Sequence, residues 1–158
     1  MDFYPRNITL HILIAGIWLS YFVVELLLKN RIKKEDDSTL KKVLIIQYLK
    51  FTNLFVLTGS IGIILTGVFL VVNNSHYGFF NMANNHWLAT KQILFVIILI
   101  NIFVNILPTI KKITLILKNS DSKEALDKSL KKLFKANFLI NILVLLNFLF
   151  AITHKFYS

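Results

Sequence analysis

Residues 7–28 read NITLHILIAGIWLSYFVVELLL, and this stretch decides the fold. Crossing the roughly 30 Å hydrocarbon core of a bilayer takes about 20 apolar residues in a helix. The run has that length, and its histidine and carboxylate are His11 and Glu25. It is too long for the apolar core of a secretory leader and no small-residue cleavage pattern follows it, so it is expected to stay in the membrane. One such run could be a buried core helix. Three more follow, at about 51–72, 87–107 and 136–153, separated by charged or polar connections. Four in series read as transmembrane helices.

Composition agrees. The chain has 158 residues, is 56% hydrophobic and has a mean hydropathy of +0.65; soluble domains hold roughly 45–50% apolar residues. There is no cysteine, which removes disulfides and thiolate metal sites. The net charge of +10 would suggest nucleic acid in a soluble chain. Here topology accounts for it. Seven of the basic residues lie in 29–50 and eight in 111–135, against Arg6, Lys155 and an embedded Lys91 elsewhere. Basic loops stay on the cytoplasmic side, so loops 29–50 and 109–135 are expected there, with both termini and the loop 73–86 outside. The expected fold is an all-α membrane protein: one domain over 1–158, an antiparallel four-transmembrane-helix bundle, N-out/C-out. Its partner is the lipid bilayer, whose anionic headgroups suit the basic connections. No nucleic acid is required.

The connections carry their own signals. Ser38 is placed to N-cap the second helix after Glu35, Asp36 and Asp37, with 39–50 as an amphipathic extension. The loop 73–86, NNSHYGFFNMANNH, has no Lys, Arg, Asp or Glu, and its aromatics suit the bilayer interface. Pro108 is expected to bend or end the third helix. Asp121 or Ser122 is placed to cap the fourth, with Glu124 completing a capping box with Asp121. Its first turns, KEALDKSLKKLFK, extend it on the cytoplasmic side.

The chain's four histidines, His11, His76, His86 and His154, all fall on the outer side in this topology. His11, Ala15, Trp18, Phe22 and Glu25 share one face of the first helix. Ionisable groups in a span are costly toward lipid and mark a site when they face the bundle. The plainer alternatives are a headgroup-wetted His11 and a Glu25 paired with Lys29 four residues on. Trp87, Lys91, Leu94, Ile98, Asn101, Asn105 and Pro108 form a stripe on the third helix. Lys91 either snorkels outward or holds a carboxylate, and the two asparagines serve as interhelical glue. Thr58, Gly62 and Thr66, with Gly59 and Gly67 beside them, form a small-residue face on the second helix. That face suits close packing, or room for a flat cofactor. Asn147, Ala151 and His154 share a face of the fourth helix, where His154 is equally able to sit exposed at the interface.

A b-type haem needs one or two inward imidazoles, room for the ring and cations for its propionates. His11, His86 and His154 with Lys91 match that inventory. Copper is the alternative occupant of the same imidazoles, with Met1 and Met82 the only thioethers. A non-catalytic membrane scaffold is the third reading. No nucleotide, zinc-protease or hydrolase motif is present.

Three segments carry a resemblance: HILIAGIWLSYF, with His-x3-Ala-x2-Trp at His11, Ala15 and Trp18; LTGSIGIILTGVFLV; and HWLATKQILF, with Trp87-x3-Lys91. Over roughly residues 8–108 the chain resembles the superfamily of CopD-type copper-resistance membrane domains, HemJ-type protoporphyrinogen oxidases and plain four-helix bacterial integral membrane proteins. The HemJ type implies a haem b with a first-helix histidine ligand, here His11, and a Trp-Leu-x-x-Lys segment, here Trp87 to Lys91. Trp18 joins the implied cofactor residues. Where the HemJ type continues its first helix with a Leu-Pro-Arg-Leu-like segment, this chain reads VVELLLKN. CopD-type domains have more helices, more Met and more His. The plain four-helix relatives match best. The resemblance implies the bacterial cytoplasmic (inner) membrane, and leaves room for a homo-oligomer or a redox partner.

Overall fold

The computed structural model describes residues 3–83, 85–119 and 122–153. Among them every regular element is helical: α1 (Phe3–Lys34), α2 (Ser38–Val72), α3 (His86–Asn101), a π-helical turn (Ile102–Ile106), α4 (Leu107–Asn119) and α5 (Lys123–Thr153). The α3, π and α4 segments run on as one rod, so the described residues contain four helices long and apolar enough to cross a membrane. In hydrocarbon a helix satisfies its own backbone hydrogen bonds, which is why Ile- and Val-rich runs that would favour strands in water are helical here.

Less than a third of each span's most apolar window is buried inside the protein. Large side chains such as Leu13, Ile17, Leu27, Leu65 and Phe103 are exposed instead. A contiguous apolar surface of this size is what lipid contact requires. The interior is a column of Ile32, Ile45, Tyr48, Val56, Ile98, Ile106, Leu133 and Ile140, drawn from all four rods.

The main seam joins α1 to α2, while α5 packs against α1, α3 and α4, and α2 also meets α4. Along the main seam Asn7 and His11 meet Thr66, Trp18 covers Gly59, Tyr21 meets Thr52 and Glu25 meets Tyr48. Partner numbers fall on α2 as they rise on α1. The glycines make this seam close. A Cβ at Gly59 would lie 2.8 Å from Trp18 Cδ2, and one at Gly62 would lie 3.0 Å from Ile14 Cγ2. The small-residue face of α2 is thus filled by α1 side chains, and the flat-cofactor alternative for it is excluded along Gly59 and Gly62.

One local expectation is corrected, and one of two alternatives falls away. Asp37, not Ser38, caps α2: its carboxylate accepts from the Thr39 and Leu40 amides at 2.7 and 3.3 Å, and Ser38 is the first helical residue. A carboxylate at the positive end of a helix also gains from the dipole. Pro108 does not end the third helix, which continues to Asn119. Proline lacks the N–H that would bond to residue 104 and its ring crowds that carbonyl. The π turn just before it, closed by the Leu107 N–H on the Ile102 carbonyl, loosens the winding there. At the start of α5, Ser122 Oγ accepts from the Ala125 amide at 3.3 Å, as a cap should. The proposed Asp121 capping box lies outside the described residues.

Candidate functional site

Two polar clusters sit inside the apolar bundle. The first is at the His11 end. His11 Nδ1 lies 2.6 Å from Thr66 Oγ1, and that hydroxyl lies 2.7 Å from the Gly62 carbonyl oxygen. A hydroxyl has one proton. Both contacts are hydrogen bonds at once only if Thr66 donates to Gly62 and His11 Nδ1–H donates to Thr66. The arrangement selects the Nδ1–H tautomer and leaves the Nε2 lone pair unused, the state in which imidazole binds a metal.

Lys91 is half-buried, close enough for its charge to act on His11. Its ammonium stands 5.7 Å from the Trp87 ring centroid, and Tyr77 meets that ring edge-on at 5.9 Å. Trp18 is 3% exposed, lies against Gly59 and meets Phe95 edge-on at 6.4 Å, so it ties α1 to α2 and α3. Gly67 leaves the helix face open beside the imidazole: a Cβ there would meet only His11 Cε1, at 3.6 Å.

The other expected ligands are not gathered with His11. His86 is exposed on the first turn of α3, and His76 is exposed in the loop, where its carbonyl accepts from Asn85 Nδ2 at 2.6 Å. His154 lies outside the described residues. Among the described residues, no three His, Cys, Asp or Glu side chains come together as a metal site. Of the residues expected to hold a haem, His11 and Lys91 come to the same end of the bundle, as one imidazole and one cation.

The second cluster lies deeper. Glu25 is fully buried, and its Oε1 accepts from the Tyr48 hydroxyl at 3.0 Å. The amide of Asn137, on α5, donates to the Tyr48 oxygen at 2.6 Å and to Thr52 Oγ1 at 3.3 Å. Tyr21 and Thr52 share a 2.7 Å hydrogen bond beside it. Three helices thus converge on one polar knot. Glu25 is held by Tyr48 rather than by an ion pair with Lys29, whose ammonium lies 5.7 Å from the ring centroids of Phe134 and Phe138. The knot is incomplete, since Glu25 Oε2 and Asn137 Oδ1 are buried without a hydrogen-bond partner.

Sequence reasoning singled out Glu25 but missed Tyr21, Tyr48, Thr52 and Asn137. The usable signal was polar residues four apart inside apolar runs: Tyr21 with Glu25, Tyr48 with Thr52, Asn137 with Asn141. Each pair puts two polar groups on one helix face.

Comparison with protein-family profiles, curated proteins and solved structures finds no match to the chain.

Proposed function

We propose that this chain is a multi-pass protein of the bacterial cytoplasmic membrane that binds haem b at the outer end of an antiparallel bundle, N-out/C-out. The orientation rests on the basic residues gathered in 29–50 and 111–135. It is supported by a groove of about 510 Å³ lined by Lys128, Lys131, Lys132 and Lys135 with Asn101 and Asn105, which suits anionic headgroups of the inner leaflet. The cysteine-free chain makes the test clean. In intact cells Ser75→Cys will react with a membrane-impermeant maleimide, whereas Lys118→Cys will react only after lysis. Reversed labelling would overturn the orientation.

The single observation that carries the haem reading is the pinned imidazole of His11, with its Nδ1–H spent on Thr66 and Nε2 free. His11 would offer its Nε2 lone pair to the iron, and Thr66 would hold the imidazole in place. Lys91 would neutralise a propionate. When bound, the haem supplies a one-electron ferric–ferrous couple. Trp87 would supply apolar surface beside it, while Trp18 is already spent on the contact between α1 and α2.

The test is a visible spectrum of the detergent-purified protein, air-oxidised and then reduced with dithionite. A Soret band that shifts on reduction is expected, with loss of nearly all bound haem in His11→Ala. Lys91→Ala should keep the band but weaken haem retention about tenfold, the effect of roughly 1.4 kcal/mol. Wild-type protein without Soret absorbance after haem supplementation would end this reading.

A further inference from the structure

We propose that Glu25 is a proton-exchange site within the membrane-spanning bundle, positioned by the Tyr48 phenol and the Asn137 amide. The hydrogen bonds have a direction. Asn137 Nδ2 donates to the Tyr48 oxygen, and Tyr48 passes its own proton toward Glu25 Oε1. Carboxylate and amide therefore flank one phenol oxygen, and each keeps a buried oxygen without a donor. Two buried acceptors at one knot leave it a proton short. Protonating Oε2 turns one acceptor into a donor and leaves Asn137 Oδ1 as a matching acceptor, directly or through a water.

The chemistry favours a proton over a metal ion. Hard cations such as Ca²⁺ and Mg²⁺ take roughly six or more oxygens. The remaining hydroxyls here are already engaged, Tyr48 with Glu25 and Tyr21 with Thr52. The groups facing Glu25 are few. On α1 the Lys29 and Lys33 charges act on it, with Tyr21 one turn away; α2 presents the Tyr48 phenol, behind which stands the neutral amide of Asn137 on α5. Lys33 is exposed, eight residues along α1 from Glu25, which is about 12 Å of helix. The proton comes from water at this basic end: an O–H bond of hydronium breaks, Oε2–H forms, and the release reverses both. Charged carboxyls buried in a span mark such relays in membrane proteins.

Dicyclohexylcarbodiimide, an apolar reagent, adds to protonated carboxyls and leaves a stable acylurea. The full chain in detergent would be treated across mildly acidic to alkaline buffers, and its peptides mapped by mass spectrometry. Glu25 should carry the adduct, while the exposed surface carboxyls Asp36, Asp37 and Glu124 stay unlabelled. The labelling rate should fall about tenfold per pH unit once the site loses its proton. Glu25→Gln should remain folded, because its amide supplies the missing donor, and should lack the adduct. Tyr48→Phe removes the donor that favours the charged form, so labelling should persist into more alkaline buffer. Asn137→Leu removes the acceptor for the acid form, so labelling should retreat to more acidic buffer. These opposite shifts would not arise from loosened packing, which moves both variants the same way. Absence of a Glu25 adduct on folded wild-type protein, or labelling independent of pH, overturns the proposal. Neither result depends on whether a haem is bound.

Discussion

Cutting Trp18 back to alanine will destabilise the bundle by about 3 kcal/mol, the lower end of the range for a buried tryptophan. The ring is sealed from lipid and contacts two neighbouring helices, against Gly59 on α2 and Phe95 on α3. The usual transfer term is small, because separated helices remain in an apolar solvent. Dispersion contacts are lost outright, and a cavity sealed from lipid is not refilled by acyl chains. Gly59→Leu attacks the same contact from the other side, since its Cβ would start 2.8 Å from Trp18 Cδ2. Overfilling of this kind costs about 1–3 kcal/mol. The double variant should recover part of the loss, because the two sites share one volume. Denaturant titration in detergent measures all three, and a Trp18→Ala loss under about 1 kcal/mol would mean that the seam does not depend on this ring.

Glu25→Lys will have an effect as large. It places an ammonium where the Tyr48 hydroxyl now donates, in a fully buried position on which Lys29 and Lys33 already act. An unpaired buried charge costs about 3–5 kcal/mol. Folded protein should be largely lost from the monodisperse fraction on gel filtration. Recovery of Glu25→Lys at wild-type yield and stability would show that this position opens to water.

The spans were legible because lipid imposes one rule, a run of about 20 apolar residues per crossing. Residues 7–28 obey it without help from any neighbour. Helix ends were legible less well, since Asp37 and Ser38 both satisfy the composition of a cap and only backbone geometry chooses between them. The partner of Glu25 was misread for a different reason. Lys29 is its neighbour in sequence, whereas Tyr48 reaches it from α2, held in turn by Asn137 of α5. Periodicity tells which face a residue occupies but not what the facing helix presents. Thr66 escaped for the same reason: its place on a small-residue face was visible, but its role as the acceptor for His11 Nδ1–H needed the pairing of α1 with α2.

The wide turn at Ile102–Ile106 holds one residue more than an α-helical turn would use. Below it Thr109, Ile113 and Ile116 face inward, and above it Ala89 and Ile98 do the same. The extra residue therefore works as a phase correction between two halves of a single rod. Deleting one residue there would let the backbone relax to ordinary winding with its flanks still in phase, whereas rewinding the turn as ordinary helix without a deletion would swing everything downstream by about 100°. The inward trio would turn toward the acyl chains and the lysines beyond them toward the core. At this point the protein tolerates the loss of one residue far better than the loss of the wide turn itself.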